Sequence, residues 1–197
     1  MKEIIIATKN QGKAIEFKEL FSKYGINARS LTELDREPKD IDETGNTFQE
    51  NAALKAEQTA EILSAPVLAD DSGLVVDALD GEPGVYSARY AGDQKDDQAN
   101  INKVLHGLDG VPAEKRTARF ICVLAVATPG EETIFRQGIC EGHIAHTEAG
   151  ENGFGYDPIF IPERYEKTMA QLPKAEKNRI SHRAKALQEL GAWLDKQ

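Results

Sequence analysis

"TARFICVLAVATPGEETIFRQGICEGHIA", residues 117–145, sets two long strand-like runs on either side of a Thr-Pro-Gly-Glu-Glu break. Apolar runs parted by Pro-Gly predict two neighbouring antiparallel strands. Working outward, strands and helices mix along the whole chain. "KEIIIAT" is a short apolar run suited to a buried strand. From Gly12 to Tyr24, the residues Ile15, Leu20, Phe21 and Tyr24 recur near helical spacing, and Gly25 is a natural stop. Thr47 opens "TFQE", a capping box in which Glu50 reaches back to the cap, and the helix should run to about Ser64. "APVLADDSGLVV" is expected to form a strand, an acidic break and a second strand. Residues 77–92 are expected as an irregular loop, followed by a helix near Gln94–His106, and the chain from Ser181 onward as helix. The mixture predicts an α/β protein with a mixed sheet.

At 197 residues the chain is expected to be one domain, or one domain of two lobes, large enough to bury a real core. Its 40% hydrophobic and 29% charged content are ordinary for a soluble protein. No apolar run approaches the ~20 residues that span a bilayer, and the opening isoleucines are too few for the apolar core of a signal peptide. A cytoplasmic location is therefore expected. Cys122 and Cys140 sit in strand-like surroundings without a C-x-x-C pairing, as reduced buried thiols do. Cys140, His143 and His146 resemble a zinc cluster only superficially, because strand alternation sends His143 away from the other two. The net charge of −9 argues against a nucleic-acid backbone as partner, which needs a basic field. A small anion held by a local cluster of cations is still allowed.

Such clusters exist. In "ATKNQGK" a strand ends and Asn10 caps a helix starting Gln11, Gly12, Lys13. Helix-start amides favour an anion, and Lys9 and Lys13 oppose the helix dipole unless something negative binds there. Solvated lysines are the plainer alternative, and the run lacks P-loop spacing. In "LADDSGL", Asp70 and Asp71 are costly to bury unless a cation or hydrogen bonds compensate, and a strand would point them to opposite faces. Magnesium favours such oxygen ligands, although a turn would use the same residues. Asp42 and Glu43 precede the capped helix and could add metal ligands. Lys55 lies on the apolar stripe of Phe48, Ala52, Ala56 and Thr59, where a charge wants an anionic partner unless its head reaches water.

"GFGYDPIF" flanks Phe154 with Gly153 and Gly155, and Pro158 biases Asp157 away from helix. Such a loop can hold Phe154 out as a stacking plate for a flat ligand, although aromatics more often plug a core. "EKNRISHR" places Lys177, His182 and Arg183 just before or within a helix start, with Ser181 as cap. Planar Arg183 can donate in a fork to a ring acceptor.

"ATKNQGK", "ETGNTFQENAALKA", "ADDSGLVVDAL", "PGVYSARYAG", "RFICVLAVA", "GFGYDPIF" and "EKNRISHRAKAL" follow one another nearly end to end. In that order they resemble the inosine triphosphate pyrophosphatase, or Ham1, family. Only linking stretches such as 107–116 carry no motif. The resemblance implies an elongated α/β fold of two lobes, with a long mixed β-sheet flooring a central cleft, usually as a homodimer. It implies magnesium-dependent hydrolysis of inosine, deoxyinosine and xanthosine triphosphates to the monophosphate and pyrophosphate. By motif, Thr8, Lys9, Asn10, Gln11, Gly12 and Lys13 match the phosphate-binding loop. Asp71 matches the proton acceptor, near the metal, and Glu43 or its neighbour Asp42 a metal-ligating acid. Ser72, Phe154, Gly155, Tyr156, Asp157, Lys177, His182 and Arg183 match nucleotide-contacting positions. Rival readings are a pyrophosphatase for pyrimidine or modified triphosphates, and a binding module that holds nucleotides without cleaving them. Neither a membrane nor a nucleic-acid polymer is expected as partner.

Overall fold

The computed structural model describes residues 2–35, 38–39 and 41–196. The chain divides into two compact units, one of residues 1–71, 123–137 and 186–197, the other of residues 72–122 and 138–185.

In the first unit, strand β1 (Glu3–Ile6) leads to helix α1 (Gln11–Lys23), strand β2 (Asn27–Ser30) and helix α2 (Phe48–Leu63). β1 pairs in parallel with β2, from Glu3↔Asn27 to Ile6↔Ser30. On its other side it pairs in parallel with strand β3 (Val67–Val76), at Ile5↔Val67 and Ile6↔Leu68. A strand with parallel partners on both edges is sheltered on both faces, which is why three successive isoleucines are all buried here. α1 buries Ala14, Phe17 and Phe21, spaced for one face. Ile15 does not join them. It is 57% exposed, because the two phenylalanines set the buried direction and Ile15 lies a step around from it. Gly25 does end the turn after α1, at φ +66°.

β3 differs from the sequence expectation. The acidic residues do not interrupt it, and one strand runs through Asp70, Asp71 and Ser72. Their partners, described below, remove the penalty that made a break seem necessary.

Helix α3 (Asp97–Gly107) lies in the second unit, as do strand β6 (Phe160–Pro162) and helix α4 (Lys174–Ile180). Strands β4 (Thr117–Ala127) and β5 (Ile134–Ile144), like β3, have residues in both units, and helix α5 spans His182–Leu194. The sheet order is β2-β1-β3-β4-β5-β6, with β5 and β6 antiparallel. β4 and β5 are neighbours joined by a short turn in which the Glu131 amide donates to the Thr128 carbonyl at 3.0 Å. So short a link joins only antiparallel strands, as the opening stretch predicts. With the parallel pairs of β1, the sheet is mixed. The core of the second unit gathers Leu74, Val76, Ile101, Val104, Phe120, Tyr156, Phe160 and Met169, all buried. The loop at 77–92 is built largely of short 3-10 turns at Asp77–Leu79 and Gly84–Arg89. No helix among the described residues is long and apolar enough to cross a membrane.

Candidate active site

In the first unit, the chain leaves β1 and turns into α1 through self-contained capping. The Asn10 amide donates to Thr8 Oγ1 at 3.2 Å, and Asn10 Oδ1 accepts from the Lys13 amide at 3.1 Å. Asn10 thus caps α1 as its sequence position predicts, leaving Gln11 and Gly12 at the helix start. Lys13 Nζ lies 2.7 Å from Asp70 Oδ2, and Asp70 is buried to 3% exposure, so a carboxylate faces this lysine at the helix start. Lys9 and Gln11 are exposed on the same turn.

Asp71, also buried, follows on β3 and accepts at Oδ2 from Asn51 Nδ2 at 3.1 Å. Asn51 sits on α2 with 1% exposure, and its Oδ1 accepts from the Gly45 amide at 2.8 Å. One side chain thereby ties the segment carrying Asp42 and Glu43 to Asp71. A Cβ at Gly45 would come within 2.8 Å of Asn51 Oδ1, so the segment can approach only as glycine. Sequence reasoning missed Asn51. The available signal was a polar residue beside Ala52 at the buried edge of an otherwise alanine-rich helix face.

Lys55 found the partners its apolar stripe demanded. Its Nζ pairs with Glu43 and donates to the Asp70 carbonyl at 3.0 Å. Burial pulls its pKa down, but the charges of Asp70, Glu43 and Asp71 outweigh that and hold it above the usual lysine value. Thr47 caps α2 as expected, accepting from the Glu50 amide at 3.1 Å. Glu50 reaches one residue further back than the cap, to the Asn46 amide at 2.7 Å.

Buried carboxylates among lysines make a set of hard oxygen donors. Magnesium takes one or two such carboxylates and completes its shell with water and phosphate oxygens. Among the described residues no three His, Cys, Asp or Glu side chains converge on one point. The acids Asp71 and Glu43 are the residues that could hold such an ion. Glu43, held by Lys55, is half-buried, whereas Asp42 is exposed.

In the second unit, Phe154 projects its ring, 58% exposed, while its neighbour Tyr156 is 5% exposed and donates its hydroxyl to the Ser87 carbonyl at 2.7 Å. Burial raises the Tyr156 pKa well above the usual phenol value, so this hydroxyl keeps its proton. Of the two aromatics, one plugs the core and the other stands exposed, as the loop's glycines allow. Gly153 has φ +82°, and a side chain there would collide with the Asp157 carboxylate and come within 2.9 Å of Lys177 Nζ. Asp157 is buried, accepts from the Phe154 amide at 3.0 Å and pairs with Lys177. Lys177 Nζ also stands 4.8 Å from the centre of the Phe154 ring.

Lys177 precedes the last helix and belongs to the separate helix α4, in its last turn, where the dipole favours a cation. Ser181 separates α4 from α5 and caps α5, accepting from the Ala184 amide at 3.2 Å. His182 and Arg183 then open α5. The His182 ring stacks on Phe120, with centroids 4.9 Å apart and planes inclined by 16°. Arg183 is buried to 8% exposure. Ser72 is half-buried on β3. Away from these groups, His146 lies beyond the end of β5 and its Nδ1 is 3.3 Å from Arg116 Nη1.

The Ham1 family sequence profile matches residues 4–193. The dITP/XTP pyrophosphatase of Oceanobacillus iheyensis is 60% identical over 194 residues, which cover 98% of each chain. That of Bacillus subtilis is 57% identical over 195 residues, covering 99% of this chain and 98% of the relative. Among solved structures, the Staphylococcus aureus Ham1 protein superposes with a TM-score of 0.92 at 49% identity, covering 99% of both chains. A HAM1 protein from Coxiella burnetii gives 0.93 at 42% identity over the full length of both.

Proposed function

Because the chain belongs to the Ham1 family, we propose that it hydrolyses inosine, deoxyinosine and xanthosine triphosphates to the monophosphate and pyrophosphate. The observation that carries this reading is the 60% identity, end to end, with a dITP/XTP pyrophosphatase. Groups suited to a triphosphate are the helix-start amides after Asn10, Lys9, Lys13 and the buried acids. Groups suited to a purine are the exposed Phe154 ring and the donors of His182 and Arg183.

Magnesium is the ion proposed, held by Asp71 with Glu43 or Asp42. When bound, it neutralises triphosphate charge and makes the phosphorus more electrophilic. Asp71 then orients a water for attack on the α-phosphorus and accepts its proton, while Thr8 to Lys13 grip the phosphate chain. Asn51 holds Asp71 Oδ2 in place, which limits how the carboxylate can turn. Phosphoryl transfer depends chiefly on such positioning and charge stabilisation.

Base choice follows from hydrogen-bond polarity. Inosine and xanthosine carry a 6-keto acceptor that Arg183 or His182 can satisfy, whereas adenine's 6-amino group would face them donor to donor. A site built around such a bond discriminates by on the order of 10⁴-fold. The test is a panel of inosine, xanthosine, guanosine, adenosine and pyrimidine triphosphates, with and without magnesium, and with products identified. Monophosphate plus pyrophosphate from the inosine and xanthosine substrates, lost on chelation, is expected. Equal catalytic efficiency toward adenosine triphosphate would overturn the donor argument. Release of diphosphate plus phosphate, or binding without turnover, would overturn the activity itself.

A further inference from the structure

The first turn of α3 lies against the loop that presents Phe154, and it does so through side chains rather than by chance proximity. Asp97 Oδ2 accepts from the Gly155 amide at 2.8 Å, across 58 positions of sequence. One residue on, Gln98 Nε2 donates to Glu148 Oε1 at 2.6 Å, near the start of the same loop. Asp97 is not needed to cap its own helix, since Asp96 does that by accepting from the Ala99 amide at 3.1 Å. Its carboxylate is therefore available for the loop.

The placement of this bond matters. The Phe154 amide is held by Asp157 and the Gly155 amide by Asp97. These are the two peptide groups on either side of the Phe154 Cα. Fixing both planes fixes φ and ψ of that residue, since those are its only soft backbone angles. The ring is then left with side-chain rotation alone. Asp157 supplies the buried anchor, and Gly155, at φ +58° with open space around its Cα, would otherwise be the loosest point of the loop.

We infer that Asp97 is a positioning residue for base recognition: by clamping the Gly155 amide it holds the Phe154 ring at the angle a purine stacks on. The inference rests on the reading of Phe154 as the stacking plate, so the experiment separates the two. Asp97→Ala, Asp97→Asn, Phe154→Ala and the double variant Asp97→Ala/Phe154→Ala are compared for inosine triphosphate hydrolysis. Inhibition by inorganic tripolyphosphate, which has no base, is measured in parallel. A solvent-exposed hydrogen bond is modest, so Asp97→Ala should raise KM about three- to fivefold with kcat within about twofold. Phe154→Ala should raise KM about tenfold or more. Asp97→Asn keeps an oxygen acceptor and should return KM to within about twofold of the parent. The tripolyphosphate inhibition constant should be the same in all variants, and Asp97→Ala should add nothing once the ring is gone.

If Asp97→Ala weakens tripolyphosphate as much as inosine triphosphate, Asp97 acts on the fold at large and the inference fails. It also fails if Phe154→Ala weakens the substrate and Asp97→Ala does not, with the stacking reading intact. An unchanged KM in Phe154→Ala removes the stacking reading and the inference together. Should Asp97→Ala not fold, Asp97→Ser, which keeps a short acceptor out of reach of Gly155, takes its place with the same expected KM.

Discussion

Asp70 and Asp71 show how adjacent residues of one type acquire separate roles. Strand alternation sends them to opposite faces, and each meets a different partner, Lys13 for one and Asn51 for the other. The ion pair neutralises Asp70. Asp71 receives a neutral amide, which orients its carboxylate. Asp71→Asn preserves shape and removes charge, and it is expected to lower kcat/KM at least about 100-fold in an assay saturated with magnesium. A rate near that of the parent protein would take Asp71 out of the mechanism. The sequence identified the two acids and their alternation. It could not identify Asn51, because a buried asparagine is recognisable only when the group it serves is beside it.

Among the elements, helix ends were the most legible parts. Caps are local chemistry, and Asn10, Thr47 and Ser181 each accept from the amide three residues on, as their positions imply. Thr47→Ala should therefore cost about 1 kcal/mol, lowering Tm by about 2–4 °C for a chain of this size. Thr47→Ser should restore it. An unchanged melting curve for Thr47→Ala would mean that the Glu50 bond to the Asn46 amide is sufficient to hold this helix start. Element interiors were less legible. Ile15 recurs near helical spacing on α1, but the buried direction is set by Phe17 and Phe21. Lys177 lies before the last helix start, and a separate short helix carries it, which no local pattern marks. The adjacent acids imply a break in β3, and the structure keeps the strand whole.

At the scale of the whole molecule, the acidic balance bears on assembly. We propose a homodimer on the family resemblance, so sedimentation equilibrium at micromolar protein should give twice the 21.7 kDa chain mass. With a net charge of −9 on each chain, the association should tighten as salt rises from about 10 to 150 mM, since screening weakens repulsion between like-charged subunits. A single-chain mass throughout that range would overturn it. What the sequence alone determined was whatever is encoded within a few residues: most of the longer strands and helices, caps, the mixed sheet, and the ordered motifs that mark the family. Only tertiary structure decided which charges neutralise each other, which aromatic of "GFGYDPIF" is buried, and which amides hold the loop between them. Those outcomes depend on groups brought together from distant parts of the chain. Asp70 is 57 positions from Lys13, and no local pattern records a desolvation cost that is offset so far away.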